Sequence, residues 1–265
     1  MKGNIEGELD MMKNSLKEKL KSGKCVYGPF MMTASTDTAE ILANVGCDMI
    51  MIDGEHGAMG FETAGKMISQ IKYTQTTPLL RVPWNDLTMV KQGLDTGASG
   101  IMIPMINSKE EAERAIQYCH YPPNGVRGFG AGRASLFGIN TESYWEYAKE
   151  ELLVILQVEH VKAVENIDEI LSVPGIDVVF IGPMDLSVSM GVKGELDHPD
   201  MQAAYSKVLD ACQKHNIVPG IMTQPNLMKK HIDLGFRFLL GGIDAMFIHQ
   251  GAKQLLEEFK RSINS

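Results

Sequence analysis

The sequence predicts a single (β/α)8 barrel, and three observations carry that prediction. Eight short runs are apolar throughout, the pattern of parallel strands buried on both faces. Helical patterns lie between most of them, so the repeating unit is βα. Eight such units in 265 residues match the size of one closed barrel. A doubly wound open sheet is the alternative arrangement of the same units.

Taken in order, the chain opens with a helical stretch near 9–20, which places Leu9, Met12, Leu16 and Leu20 on one stripe. The first two runs, CVYGPF (25–30) and CDMIMI (47–52), are followed by helical patterns at 38–45 and 64–72. TPLLRV (77–82) and SGIMIP (99–104) precede those at 89–96 and 109–119. LLVILQV (152–158) and IDVVFIG (176–182) precede 161–171 and 201–215. IVPGI (217–221) and FRFLLG (236–241) precede 226–234 and a closing helix at 244–261. Residues 120–150 break the rhythm with a long, glycine-rich, aromatic connection, the kind of loop that serves as a lid, a binding loop or an interface. A plain surface excursion is the alternative. No linker or second core interrupts the chain, so 1–265 reads as one domain.

Composition narrows the function. The chain is 44% apolar and 22% charged, with a mean hydropathy of −0.08, which excludes collagen-like, coiled-coil and disordered classes. Acidic residues outnumber basic ones, 33 to 25, leaving a net charge of −8, which argues against a nucleic-acid binder. Cys25, Cys47, Cys119 and Cys212 are scattered without a CxxC pair and read as free thiols. With no apolar secretory core near the start and no membrane-length apolar run, a cytoplasmic protein with no membrane partner is the expectation.

Barrel chemistry gathers at the C-terminal ends of the strands. The second run leads into Asp53-Gly54-Glu55-His56-Gly57, where His56 is a candidate general base oriented by a carboxylate. The same word also fits an ordinary strand-to-helix turn. Arg81 closes the third run, and a guanidinium there needs a partner or an anion. It suits a substrate oxygen, or a structural ion pair with Glu55. Gln157 and Glu159 follow the fifth run on one face. Gly182, Met184 and Asp185 follow the sixth. Glu159 and Asp185 from neighbouring strands would repel each other, which a divalent cation relieves. Pairing with Arg or Lys is the other resolution. Backbone N–H groups over 182–185 are candidates for holding a substrate carboxylate. None of the eight runs contains a lysine, which disfavours a Schiff base and leaves a metal as the Lewis acid for carbonyl chemistry. GFGAGR (128–133) lacks the spacing of a nucleotide loop. The histidines other than His56 show no metal-ligand spacing and read as surface or packing residues. The eighteen methionines read as core filling.

The words MIDGEHG (51–57), LLRVPW (79–84), KQGLDTGASGIMIPMI (91–106), YPPNGVRG (121–128), LQVEH (156–160), VPGIDVVFIGPMDLSVSMG (173–191) and GGIDAM (241–246) together resemble the HpcH/HpaI family of class II pyruvate aldolases. The resemblance runs in order from about residue 22 to 262. It implies a barrel that cleaves a 4-hydroxy-2-oxo acid to pyruvate and an aldehyde through a pyruvate enolate, with Mg²⁺, Mn²⁺ or Co²⁺. By the same resemblance Glu159 and Asp185 are metal ligands, His56 is the base and Arg81 stabilises the enolate. Asp95, on its own evidence a solvated helix residue, is implied to raise the basicity of His56, with Asp53 a competing partner. Gln157, Met184 and Asp185 match substrate contacts. Gly57 and Met184 depart from the family's type member, which holds alanine at both positions, and this bears on substrate choice. Family relatives that decarboxylate or join carbon chains share the enolate step. A homo-oligomer, a hexamer with exchanged C-terminal helices, is a further implication. A phosphate-binding isomerase or synthase using Gly241 and Gly242 is a competing reading.

Overall fold

A computed structural model describes residues 13–264. Eight parallel strands close in sequence order, each paired with the next and the last with the first. They are β1 (Val26–Met31), β2 (Met49–Asp53), β3 (Thr77–Arg81), β4 (Gly100–Ile103), β5 (Leu153–Val158), β6 (Val178–Ile181), β7 (Val218–Thr223) and β8 (Phe238–Ile243). The closed barrel is therefore the arrangement adopted, and the open sheet is not.

Alternation along the strands divides the side chains between two cores. Met49, Met51, Leu79, Met102, Leu153, Ile155, Val178, Phe180, Phe238 and Leu240 fill the barrel interior. Their neighbours Ile50, Ile52, Leu80, Ile101, Val154, Leu156, Val179 and Ile181 face the helices. Of the predicted opening stripe, Leu9 and Met12 lie outside the described residues. Leu16 and Leu20 lie on helix α1 (Ser15–Lys21) and join the interior cluster, so α1 plugs the N-terminal end of the barrel. Lys17 Nζ fixes the plug, with Asp177 at 3.0 Å and the Leu152 carbonyl at 2.9 Å.

The outer ring begins with α2 (Thr36–Ala43), α3 (Phe61–Ile71), α4 (Leu87–Asp95) and α5 (Lys109–Cys119). Ser35, Asp86 and Ser108 cap α2, α4 and α5 through their side-chain oxygens. The long connection contains a further helix, α6 (Thr141–Glu150), which apolar periodicity does not reveal. The predicted helix at 161–171 divides at Asn166 into α7 (Val161–Glu165) and α8 (Ile167–Leu171). Asn166 Nδ2 reaches the Asn107 carbonyl at 2.9 Å there. The ring continues with α9 (Pro183–Ser189), α10 (Pro199–His215) and α11 (Met228–Leu234).

The last helix, α12 (Asp244–Ile263), does not close on its own barrel. Asp244 is its only buried residue, whereas Leu255 and Phe259 are 69% and 61% exposed. The helix stands away from the domain with an apolar row in solvent.

His231 on α11 is buried between the rings of Tyr205 and Phe236, and its Nδ1 lies 2.8 Å from Thr223 Oγ1. Burial lowers its pKa below the ordinary 6.5, reinforced by Lys230 and opposed by Asp197. A histidine whose pKa is lowered by folding favours the folded state above its unfolded value and penalises it as pH falls below that value. Thermal melts from pH 7.5 to 5 should therefore lose stability faster in the wild type than in His231→Phe. Parallel pH slopes would refute this account.

Candidate active site

The polar groups at the barrel mouth continue the interior rows. Asp53 lies two residues beyond Met51, Arg81 two beyond Leu79, and Gln157 two beyond Ile155. Each therefore points to the barrel axis one layer above the apolar core. Asp53 and Arg81 are also register partners across β2 and β3.

Arg81 organises this layer. Its Nε donates to Asp53 Oδ1 at 3.0 Å, and one terminal nitrogen donates to Asp53 Oδ2 at 2.6 Å, a bidentate pair buried on both sides. The other terminal nitrogen lies 3.1 Å from Glu55 Oε2 and 3.4 Å from Gln157 Oε1. Gln157 Nε2 in turn donates to Glu159 Oε2 in a short hydrogen bond. The backbone N–H of Met105 donates to Glu159 Oε1 at 2.9 Å. Met105 adopts a left-handed conformation (φ 57°), which non-glycine residues take up at some cost in strain. Gly182 leaves the room this network needs, because a Cβ there would lie 3.0 Å from both Gln157 Nε2 and Glu159 Oε2.

A cleft of about 350 Å³ opens beside the layer, lined by Glu55, His56, Met105, Glu159, His160, Asp185, Val188 and Ser189. Glu159 and Asp185 thus share one wall, as the strand order suggests. Burial pushes the Glu159 carboxyl up to about 6, with Glu55 and Asp185 adding to the rise and the Met105 N–H opposing it. Burial raises Glu55 as well, against the pull of Arg81 and His56. A larger cavity of about 910 Å³ lies elsewhere, against α1, the end of α3 and residues 133–147. None of the polar groups at the mouth lines it.

Several expected placements differ. Asp53 does not meet the His56 ring; its Oδ1 accepts the backbone N–H groups of Glu55 and His56 at 3.0 and 3.2 Å while Arg81 takes the rest of the carboxylate. The Asp53 side chain faces inward, whereas His56 lies beyond the strand in a turn, its side chain 60% exposed. The carboxylate nearest that ring is Glu55, at 3.8 Å. The turn is tight enough that a Cβ at Gly57 would lie 2.2 Å from the Asp53 carbonyl oxygen. Asp95, at the end of α4, pairs with Arg127 at 2.7 Å instead of the His56 of its own chain. Arg127 is buried among Tyr121, Tyr144 and Asp95, which holds that carboxylate in place. Met184 lies outside the cleft wall, against Gly194 of the following loop.

Residues of the 120–150 connection line the larger cavity and not this cleft. Arg133 instead bonds Ser69 on α3, and Gly97 packs on Ala134. His160, grouped by sequence with surface histidines, caps α7 and lines the cleft; its place directly after Glu159 is the signal. Met105 carries no signal of its own, because its role lies in a backbone N–H. Gly241 and Gly242 form a bulge: Gly28 pairs with Leu240 and Phe30 with Ile243, leaving two residues of β8 against one of β1. A Cβ at Gly242 would lie 2.3 Å from the Phe247 ring, so packing accounts for this glycine pair without a phosphate.

The fold and its mouth define a (β/α)8 protein that sets a clamped arginine beside one small cleft walled by three carboxylates, Glu55, Glu159 and Asp185. A profile of the HpcH/HpaI aldolase/citrate lyase family matches residues 27–250. The chain is 37% identical over 250 residues to the 4-hydroxy-2-oxo-heptane-1,7-dioate aldolase of Salmonella heidelberg (strain SL476), covering 94% of this chain and 95% of that one. Among solved structures, an HpcH/HpaI aldolase/citrate lyase family protein from Burkholderia cenocepacia J2315 superposes with a TM-score of 0.89 at 30% identity, covering 94% of this chain and all of that one. An HpcH/HpaI aldolase from Desulfitobacterium hafniense DCB-2 gives 0.84 at 32% identity, covering 92% of this chain and 96% of that one. The chain belongs to the HpcH/HpaI aldolase/citrate lyase family.

A carboxyl raised to about 6 by folding favours its neutral form, so the folded state loses stability as pH rises from 4.5 through 6. A rise of that size corresponds to about 2 kcal/mol. In chelator, the melting point of the wild type relative to Glu159→Gln should fall by the equivalent amount between pH 4.5 and 7. A constant difference would show that Glu159 ionises normally.

Proposed function

We propose that this protein cleaves a 4-hydroxy-2-oxo acid to pyruvate and an aldehyde, and runs the addition in reverse. The observation that carries the reading is the polar layer at the mouth, which sets an exposed imidazole and three carboxylates around one cleft, with Arg81 held behind Glu55. Asp53, Glu55, Glu159 and Asp185 put four carboxylates against the single guanidinium of Arg81. Glu55 Oε2 is buried without a hydrogen bond, its charge met by the Arg81 ion pair and the more distant His56 ring. That excess fits a hard divalent cation, Mg²⁺, Mn²⁺ or Co²⁺, held by Glu159 and Asp185. Glu159 and Asp185 would supply two ligands, and water and substrate the rest. Such a cation supplies Lewis acidity to the 2-oxo group.

The protein's own groups divide the rest of the reaction. His56 takes the proton from the 4-hydroxyl. The C3–C4 bond then breaks, its electron pair moving onto the pyruvate enolate while C4 leaves as the aldehyde. The Arg81 edge that pairs with Glu55 and Gln157 holds the charge that develops on the enolate oxygen, an electrostatic role commonly worth about 3–4 kcal/mol. Gln157 orients that edge, and protonation at C3 completes pyruvate. The backbone N–H groups over 182–185 border the side where the substrate's remaining atoms lie.

The apolar row on α12 supports a homo-oligomer, in line with the hexamer implied by resemblance. No helix among the described residues is long and apolar enough to cross a membrane. Four free cysteines favour a reducing compartment such as the cytoplasm.

Pyruvate release from a panel of 4-hydroxy-2-oxo acids, coupled to lactate dehydrogenase, tests the activity. Release that EDTA abolishes and Mg²⁺ or Mn²⁺ restores, and that His56→Ala lowers at least 100-fold, is the expected result. No release from metal-loaded protein, with oxaloacetate decarboxylated instead, would move the assignment to a decarboxylase on the same enolate. Light scattering tests the assembly: a multiple of the 29.2 kDa chain is expected, shifting to smaller species in Leu255→Asp/Phe259→Asp. An unchanged mass would disconnect α12 from association.

A further inference from the structure

We propose that Phe30 is a positioning residue for Arg81, and that Asp244 holds it there by clasping the first strand to the last helix. The proposal deepens the aldolase reading and rests on it for its kinetic consequence.

Arg81 is fixed at one edge by Asp53, but a planar guanidinium also has two faces. The Phe30 ring covers one of them, with Arg81 Cζ 4.8 Å from its centroid. That separation is a cation–π contact, and both side chains are largely buried, which strengthens it. Phe30 is itself propped from within the barrel. Its ring meets Phe180 edge-to-face at 6.3 Å, and Phe180 meets Phe238 at 6.1 Å. Asp53 and Phe30 together leave Arg81 the edge toward Glu55 and Gln157, and Glu55 is part of the cleft wall.

Phe30 is the second-last residue of β1, so its place depends on how that strand ends. Asp244 settles this. Its buried carboxylate accepts the N–H of Met32 on Oδ1 and the N–H of Thr33 on Oδ2, both at 3.0 Å. The Thr33 hydroxyl donates to Oδ2 in a short hydrogen bond, and the Ala245 N–H donates to Oδ1 at 2.9 Å. Among the described residues these N–H and O–H donors replace the water that the carboxylate gave up.

The β8 bulge aims the clasp. One extra residue reverses the in–out alternation beyond it, and so decides which way Asp244 faces. Gly242, at φ 81°, supplies the backbone conformation required. On the other side, Tyr27 Oη donates to the Gly241 carbonyl at 2.8 Å, tying β1 to the bulge three residues before Phe30.

Phe30→Leu keeps an apolar side chain and removes the ring. Phe30→Tyr keeps the ring. Phe238→Leu makes a comparable change deeper in the same aromatic stack, away from Arg81. With the 4-hydroxy-2-oxo acid turned over fastest by the wild type, Phe30→Leu should lower kcat about tenfold with KM within about threefold. Phe30→Tyr should recover most of that loss, Phe238→Leu should leave kcat within twofold, and Asp244→Asn should follow Phe30→Leu. The ¹⁵N–¹H signal of Arg81 Nε reports positioning without any turnover. It should be sharp and slow to exchange in the wild type, shifted and faster to exchange in Phe30→Leu, and unchanged in Phe238→Leu. An unaltered kcat and Nε signal in Phe30→Leu, or equal kcat losses in Phe30→Leu and Phe238→Leu, would overturn the proposal. If the wild type turns over no substrate but the Nε signal responds as described, the aldolase reading fails and the positioning role stands.

Discussion

The buried pair of Arg81 and Asp53 is the interaction on which the mouth of this barrel depends. A guanidinium at the end of an apolar strand is tolerable only with its donors engaged, and Asp53 engages two of them in a fixed plane. With that plane set, the remaining edge orders Glu55 and Gln157, and Gln157 hands the order on to Glu159. The backbone joins in at Met105, whose left-handed turn sends an N–H to the same carboxylate. The apolar layer below gives these contacts a rigid floor, and Phe30 extends that floor up to the face of the arginine.

Most of the fold was legible because burial on both faces leaves a plain mark. Runs such as MIMI and LLVIL are apolar at every position, and the structure divides their alternate residues between interior and helix layer. Helix α6 was not legible, because TESYWEYAKE shows no apolar stripe and packs mainly through Tyr144 and Ala148. The behaviour of α12 was likewise hidden. An amphipathic pattern demands a partner for its apolar row without saying whether the partner is the same chain.

The site divides along a similar line. Strand ends and the period of two were enough to place Arg81, Gln157, Glu159 and Asp185 at one mouth. The partners of individual atoms were not legible. Asp53 and His56 are three residues apart, yet one faces the axis and the other solvent, so their proximity in sequence misleads. Asp95 answers to Arg127, 32 positions away, through a connection whose path no local pattern specifies. His160 was readable in hindsight from its place beside Glu159, whereas Met105 acts through an atom every residue possesses.

Helix α1 seals the far end of the barrel with Leu16 and Leu20, and the interior above it is filled with side chains. Nothing passes along the barrel axis, so the cleft is reached from the C-terminal mouth alone. Whatever enters and whatever leaves crosses the one face formed by the strand-to-helix turns, and a substitution in those turns acts on both directions of traffic at once. The plug at one end of the barrel thus assigns all exchange to the other.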